Sequence, residues 1–493
     1  MNARGLLVAV LTTGACVLSP WRTICATKPD STKSSAASPQ LQISPTILLE
    51  GDLVSIRITG LKPGSTATLY AQSAQPSDDR VVPFSGTATY IANADGIVDL
   101  ATAAPVRGYY QGADLRGLFW SQKPLDKDPE GQTALKALQL GPSTVDAGQV
   151  IVTLEQSGIR DRKTLSLLTS DPAVVQEDVR ADGLVGRFFH RRSTQRAPAI
   201  VVLGGAEGGL IFSDLIGPQL AARGYAVLGV GYFAPASNPV AGLPTALNRI
   251  PVEILERSRD WLRTRPEADV QRFGVVGASK GGEFALVLAS IYDWIGAVVA
   301  FVPSDTVWQG FEYGAPEDSM GSSWSRHGVD LPFLPQTGQR QEIIRGRQPG
   351  AAPIELARVS KSNRATASVE RIAAATIPVE RSKAALLLVG GGDDRTGDSG
   401  ASVDRITRRL EQSHYQFPYK VLLYPEAGHG IVGSGWRPTT THNTGVFNDG
   451  GTPEADARAQ ADAWTKMLAF LSEQLFVRPP PKKIVVRGSS LAD

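Results

Sequence analysis

At 493 residues the chain is longer than one hydrophobic core usually supports, so at least two domains are expected. Apolar residues at 42% and charged residues at 20% exclude a disordered chain. Fifty basic against 48 acidic residues leave a formal charge of +2, which gives no basis for a nucleic-acid surface or a polybasic membrane anchor.

The N-terminal segment MNARGLLVAVLTTGACVLSPWRTICATKPD sets Arg4 before an apolar run from Leu6 to Leu18, with small residues beyond. This is the layout of an export signal, expected over residues 1–26 with cleavage near Ala26. The protein is therefore expected to be exported, periplasmic or secreted. The run is too short to span a bilayer, so no stable membrane anchor is expected; an uncleaved anchor is the alternative. Cys16 and Cys25 both lie inside the segment, which leaves the mature chain without a thiol. Disulfides, cysteine zinc sites and a cysteine nucleophile are then excluded. Lipidation of Cys16 is disfavoured, because Thr13 stands where an aliphatic residue belongs.

A linker rich in Ser, Lys, Ala and Pro covers residues 27–39. From Leu41 the texture changes to short alternating runs broken by Gly and Pro, as in LQISPTILLEGDLVSIRITGLKPGSTATLYAQ, TATYIANADGIVDLATA and GQVIVTLEQSGI. Alternation of this kind predicts antiparallel strands with one buried face, and residues 40–165 are read as a β-sandwich. Over residues 166–477 apolar strands alternate with amphipathic helices. APAIVVLGG, AVLGVGYF, RFGVVGAS, AALLLVGGG and YKVLLYPEAG are the strands, and LIGPQLAARGY and PVEILERSRDWLRTRPEA the helices. The fold class is α/β, a mainly parallel sheet covered on both faces, with ligands gathering at the carboxyl ends of its strands. Residues 478–493 form a tail.

In GVVGASKGGEFAL, residues 274–286, Ser279 stands two positions from Gly277 and from Gly281. With Gly at about one residue in ten, a given serine is flanked this way by chance about 1% of the time, so the pattern alone is weak. Its context is a buried strand running straight into a helix. That context is a nucleophile elbow, in which small neighbours avoid the adjoining backbone and the hydroxyl points into the cleft. The rival reading is a serine in a glycine-rich turn.

A serine hydroxyl needs a base, and the base needs an orienting acid, in the chain order Ser, acid, His. The strand AALLLVG ends in Gly391-Gly392-Asp393-Asp394, which makes Asp394 the acid, with Asp393 second and suited to capping the turn. Of the histidines His190, His327, His414, His429 and His442, only the last three follow the aspartates. His429, in VLLYPEAGHGI, follows a strand inside a Gly-bounded loop and is read as the base. His414 is read as a surface residue and His442 as loop or substrate rim. Two backbone N–H groups are needed for a developing oxyanion. Lys280 is expected to supply one and Ala206, in VVLGGAEGGL, the other; Gly204, Gly205, Gly208 and Gly209 allow close approach there, with Gly205 toward substrate. A phosphate-cradling role for this loop is the rival, but the Lys-Ser/Thr ending of a P-loop is missing.

GASKGGEFALVLAS, GGDDRTGD and YPEAGHGI together resemble the acyl-CoA thioesterase and bile acid-CoA:amino acid N-acyltransferase family, within the dienelactone-hydrolase-like α/β-hydrolases. GLFWSQKP and ITGLKPGSTATLYA look like its N-terminal immunoglobulin-like β-sandwich, and GGTPEADARAQADAWTKMLAFL like its closing helix. The resemblance implies a nucleophile at Ser279, an acid at Asp394, a base at His429, and action on acyl-CoA thioesters without a cofactor or metal. In that family a serine accompanies hydrolysis and a cysteine accompanies conjugation, so hydrolysis is expected. Acyl transfer on the same scaffold, hydrolysis of other exported esters, and a catalytically idle binding protein are the alternatives. Glu207 departs from the family, which is nearly all glycine in this loop; a carboxylate there is unhelpful unless turned away. The insertion at residues 301–372 is expected to line an acyl pocket or act as a lid. Trp308 and Phe311 are the first candidates for its wall, with Tyr313, Trp324 and Phe333 beside them, although local packing is the favoured reading of these aromatics; Arg340, Arg345 and Arg347 could meet a phosphate, with solvated surface charge the favoured reading. Acyl-chain length and oligomeric state are not legible.

Overall fold

The computed structural model describes residues 38–77, 80–138, 148–193, 195–442 and 445–477. The expected signal segment, nearly all of the linker, and the tail lie outside the described residues. The alternating N-terminal runs form two sheets. Strands β1 (Gln40–Ser44), β3 (Ser55–Thr59) and β6 (Val98–Asp99) make a small antiparallel sheet, in the order β1-β3-β6. A larger sheet carries β2 (Ile47–Leu49), β4 (Thr66–Ser77), β5 (Arg80–Ile91), β7 (Gln149–Gln156) and β8 (Ile159–Leu168), in the order β2-β8-β7-β4-β5. Its pairs are antiparallel except β2 with β8. Alternate residues point inward, as two-residue periodicity requires. Leu41, Ile56, Ile58 and Val98 of the small sheet meet Leu69, Ala88, Val152 and Leu165 of the large one in a single core. Strand β8 runs past the boundary expected at residue 165, because Leu165 and Leu167 still fill that core.

The second half is an eight-stranded sheet ordered β9-β10-β12-β11-β13-β14-β15-β16. Its strands are β9 (Val174–Ala181), β10 (Leu184–Arg191), β11 (Ala197–Leu203), β12 (Ala226–Gly231), β13 (Ala268–Ala278), β14 (Ala297–Phe301), β15 (Ala385–Gly391) and β16 (Tyr419–Tyr424). The first two pairings are antiparallel and the remaining five parallel. The near-continuous apolar sequence of the central strands follows from burial on both faces. Ala199, Val201 and Leu203 of β11 enter one core, while Ile200 and Val202 enter a second. Helices α1 (Ile211–Ala222), α2 (Ile254–Arg263) and α3 (Lys280–Ile291) follow strands as expected. The insertion after β14 reaches to β15, beyond the expected residue 372, and contains α4 (Gln339–Gly346), α5 (Leu356–Thr366) and α6 (Val369–Ala375). Helices α7 (Ser399–Gln412) and α8 (Pro453–Ser472) complete the layers. Among the described residues no helix is long and apolar enough to cross a membrane.

The two halves meet on the segment that follows His429. Trp436 enters the N-terminal core, edge-on to Phe119 with ring centroids 5.0 Å apart. Arg437 donates to the buried carboxylate of Glu50 through Nε at 2.8 Å, and Thr439 N donates to Trp120 O at 3.1 Å. The N-terminal sheets thus brace a loop of the hydrolase-like half.

Candidate active site

Strand β13 ends at Ala278, and α3 begins at Lys280, which leaves Ser279 to turn the chain alone. Its backbone has φ 55° and ψ −118°, a region that a residue with a Cβ enters only at a cost of about 1–3 kcal/mol. The neighbours hold it there: Ser279 N donates to Phe301 O at 2.9 Å. A Cβ on Gly277 would stand 2.1 Å from Gly281 O, and one on Gly281 would stand 2.2 Å from Leu203 O. Both glycines flanking the serine are therefore steric requirements of this turn. Lys280 N lies in the first turn of α3, where an amide has no acceptor within the helix.

Asp394 follows β15 and is fully buried at its side chain. Its Oδ1 accepts from Thr396 N at 2.9 Å and Gly397 N at 2.7 Å, and its Oδ2 from Ser399 N at 3.2 Å. The His429 Nδ1–H donates to the same Oδ2 at 2.8 Å, and Ser279 Oγ–H donates to His429 Nε2 at 3.0 Å. A carboxylate can only accept, which fixes this tautomer of the ring. Asp393, the second choice, instead accepts from Gly451 N at 2.9 Å and from the Arg395 guanidinium, and so organises the loop. Burial works against ionisation of both Asp394 and His429. The pair's mutual attraction prevails, holding the carboxyl below its usual range and the imidazole above 6.5.

Glu207 is not turned away. Its Oε1 accepts from Gly205 N at 2.8 Å, so the amide of Gly205 is engaged within its own loop. Gly205 lies against the Cβ of Ser279 and does not line the cavity, in contrast to its expected place toward substrate. Burial pushes the Glu207 carboxyl up from its ordinary value. Its charge and that of Asp449 add to the effect of Asp394 on His429. A base must be neutral to accept a proton, so with His429 as the expected base, activity is predicted to fall as pH drops through its raised value. Glu207→Gln keeps an acceptor for Gly205 N but removes a negative charge that favours the imidazolium. The acid limb of the kcat/KM profile is expected to move to lower pH in this variant, and an unmoved limb would exclude the coupling.

A cavity of about 100 Å³ opens beside Ser279 and Lys280, with Ala206, Trp308, Phe311 and Tyr313 among its walls. It shares Phe311, Tyr313 and Ile343 with an adjoining cavity of about 120 Å³, lined further by Arg340 and Arg347. Trp324 and Phe333 do not line either one. Trp324 is fully buried and stacked on Phe284 at 4.0 Å, and Phe333 packs against the core below. Arg345 is tied to Glu342 and to the carbonyls of Ala352 and Pro353.

Sequence reasoning passed over Glu283, buried one turn after Ser279. Its carboxylate accepts from Lys280 Nζ at 2.7 Å and Trp324 Nε1 at 2.8 Å, joining the insertion to α3. The available signal was one acid in the otherwise apolar run GGEFALVLA. Asp456 was passed over as well. It accepts from Gly428 N at 2.8 Å through Oδ1 and from His442 Nδ1 at 3.0 Å through Oδ2. His442 therefore supports the His429 loop from behind and does not line the Ser279 cavity. His414 is exposed.

Residues 52–181 match the family model described as "Acyl-CoA thioester hydrolase/BAAT N-terminal region", and residues 250–477 match "BAAT / Acyl-CoA thioester hydrolase C terminal". The chain belongs to the acyl-CoA thioester hydrolase/BAAT family. Residues 185–314 also match the dienelactone hydrolase family, in keeping with the α/β-hydrolase order of this family's second half. Among its relatives, the mitochondrial acyl-coenzyme A thioesterase 2 of Mus musculus is 26% identical over 437 residues, 86% of each chain. Acyl-coenzyme A thioesterase 1 of Homo sapiens is 27% identical over 433 residues, 86% of this chain and 93% of the relative. Among solved structures, a puromycin-hydrolyzing peptidase of Mycobacterium tuberculosis has a TM-score of 0.41 at 14% identity, covering 88% of this chain and 67% of that one. A putative dienelactone hydrolase from Klebsiella pneumoniae has a TM-score of 0.37 at 12% identity, over 61% and 99%.

Proposed function

We propose that this chain is a serine hydrolase of acyl thioesters, acting through an acyl-enzyme. The observation that carries the reading is the continuous hydrogen-bonded chain Asp394–His429–Ser279 at the mouth of a cavity whose wall includes Val302, Trp308, Phe311, Ile343, Leu356 and Phe447. Ser279 Oγ attacks the thioester carbonyl as its proton passes to His429 Nε2. Asp394 orients the ring and stabilises the imidazolium. The oxyanion that forms is met by the N–H groups of Lys280 and Ala206, beside a helix N-terminus. The C–S bond then breaks, and the departing sulfur takes the proton from His429. Water, activated by the neutral imidazole, attacks the ester, releases the free acid and restores Ser279. The N-terminal sheets, read as an immunoglobulin-like sandwich, brace the His429 loop through Glu50 and Trp436.

The relatives named above are acyl-coenzyme A thioesterases, which supports CoA thioesters as the first substrates to test. Export, as expected from residues 1–26, takes the protein away from the cytoplasmic CoA pool, so simple esters belong in the same panel. Steady-state assays of the purified chain with acyl-CoA and p-nitrophenyl esters, repeated with glycine or taurine, test the reaction class. Free acid is the expected product throughout, and accumulation of N-acyl amino acid by mass spectrometry would make the protein a transferase.

A further inference from the structure

Behind the wall of the Ser279 cavity lies a separate cleft of about 240 Å³, lined in part by Asp305, Arg364, Thr376, Arg405, Arg408 and Arg409. The two cavities are lined by neighbouring residues: Ser304 and Ser360 line the Ser279 cavity, and Asp305, one residue on, and Arg364, one helical turn on, line the cleft.

The charges in this cleft do not balance. The buried Asp305 accepts from Arg405 Nε at 3.0 Å and Nη2 at 2.8 Å, and lies 3.2 Å from Arg364 Nη2. One carboxylate thus answers two guanidinium groups. Arg409 is answered by Glu380, with Nη2 donating to Oε1 at 2.8 Å. Arg408 is exposed and has no partner among the described residues. Four guanidinium groups against Asp305 and Glu380 leave two positive charges unanswered. Of the nearby acids, Asp398 pairs with Lys361 at 3.0 Å and reaches Arg364 and Arg405 only through its field, as Asp404 reaches Arg405. Arg364 and Arg405 are mostly covered, with side chains 22% and 28% exposed, so water offsets this surplus incompletely. Burial, and then repulsion from Arg405, lowers the affinity of Arg364 for its proton.

Arg405, Arg408 and Arg409 stand three and four positions apart on α7, which sets them on one helix face, with Arg364 across from them on α5. Convergent guanidinium groups with donors to spare match the tetrahedral oxygens of a phosphate group better than a single carboxylate does. We propose that this cleft is a phosphate-binding site, taking either the free anion or a phosphate of the carrier from which the acyl group is cleaved. The second source rests on the thioesterase reading; the first does not.

The test uses the full chain carrying Ser279→Ala, so that binding is read without turnover. Isothermal titration with inorganic phosphate and with adenosine 3′,5′-bisphosphate is expected to show one site for at least one probe. Arg408→Glu, added to an exposed and unpaired position, is expected to weaken it about tenfold or more, and Arg364→Gln to weaken it as well. Heat from neither probe up to about 10 mM overturns the proposal, and so does binding that both substitutions leave unchanged. The source is then read from turnover in the chain that keeps Ser279. An Arg408→Glu increase in KM for an acyl-CoA, with KM for the matching acyl-pantetheine thioester unmoved, assigns the site to the carrier. Phosphate binding that Arg408→Glu weakens while both KM values stay put assigns it to the free anion. A chain that turned over neither thioester would overturn the thioesterase reading and leave the calorimetric result standing.

Discussion

Ser279→Ala is expected to lower kcat for acyl thioesters by on the order of 10⁴ to 10⁶ while leaving the fold intact. The alanine keeps the Cβ and with it the strained turn, in which φ is 55°, and removes only Oγ. The hydroxyl donates one hydrogen bond, to His429 Nε2, and packs at the edge of the cavity, so its loss opens no hole in the core. On the proposed mechanism, what disappears is the atom that forms the acyl-enzyme. The residual rate is then expected to come from water attacking a carbonyl held by the proposed oxyanion donors, the Lys280 and Ala206 amides. Mass spectrometry after mixing with a slow ester is expected to show an acyl adduct on the parent chain and none on the variant. A variant that retained more than about a tenth of the parent kcat would remove Ser279 from the mechanism.

Asp394→Asn is expected to cost about 10⁴ in kcat, nearly as much, for a less obvious reason. In the parent, Oδ1 accepts two backbone N–H groups, from Thr396 and Gly397, and Oδ2 accepts from His429 Nδ1. An asparagine satisfies Thr396 and Gly397 by placing its carbonyl at the Oδ1 position. Its NH₂ then faces His429 Nδ1 and forces that nitrogen to accept. The ring proton moves to Nε2, which no longer takes a proton from Ser279. The same NH₂ also faces Ser399 N, which donated to Oδ2. Activity is therefore lost through the tautomer, with the position of the ring nearly unchanged. Nitrogen chemical shifts of the imidazole, measured beside kcat, separate this outcome from a displaced ring. Equal activity in Asp394→Asn and the parent would end the assignment of Asp394 as orienting acid.

Much of the scaffold was legible because it rests on local pattern. The strands from Ala197 onward are apolar on successive residues, since Val201 and Val202 face opposite cores, and only a sheet covered on both faces asks for that. Asp394 and His429 could be chosen because each stands just beyond a strand end, where parallel sheets collect their ligands. The insertion was much less legible. Trp308, Phe311 and Trp324 are alike as scattered aromatic residues of the insertion, yet two face the cavity and the third is buried against Phe284. No periodicity links them, so nothing local tells wall from core. The boundary after β8 was missed for a related reason, because the alternation that marks the N-terminal core continues through Leu167.

The sequence by itself determined the order of the elements and the turn at Ser279, and it singled out three side chains far apart in the chain that meet in one hydrogen-bonded series. These rest on short-range steric and periodic constraints, such as the glycines at 277 and 281, where a Cβ would stand 2.1 and 2.2 Å from backbone oxygens. Only the tertiary structure decided what surrounds them. It turned the Glu207 carboxylate onto Gly205 N, set Asp456 and His442 behind the His429 loop, and gathered arginines from α5 and α7 around Asp305. The last two depend on groups from separate segments meeting in a buried place, where desolvation makes a partner obligatory and packing chooses which one it is.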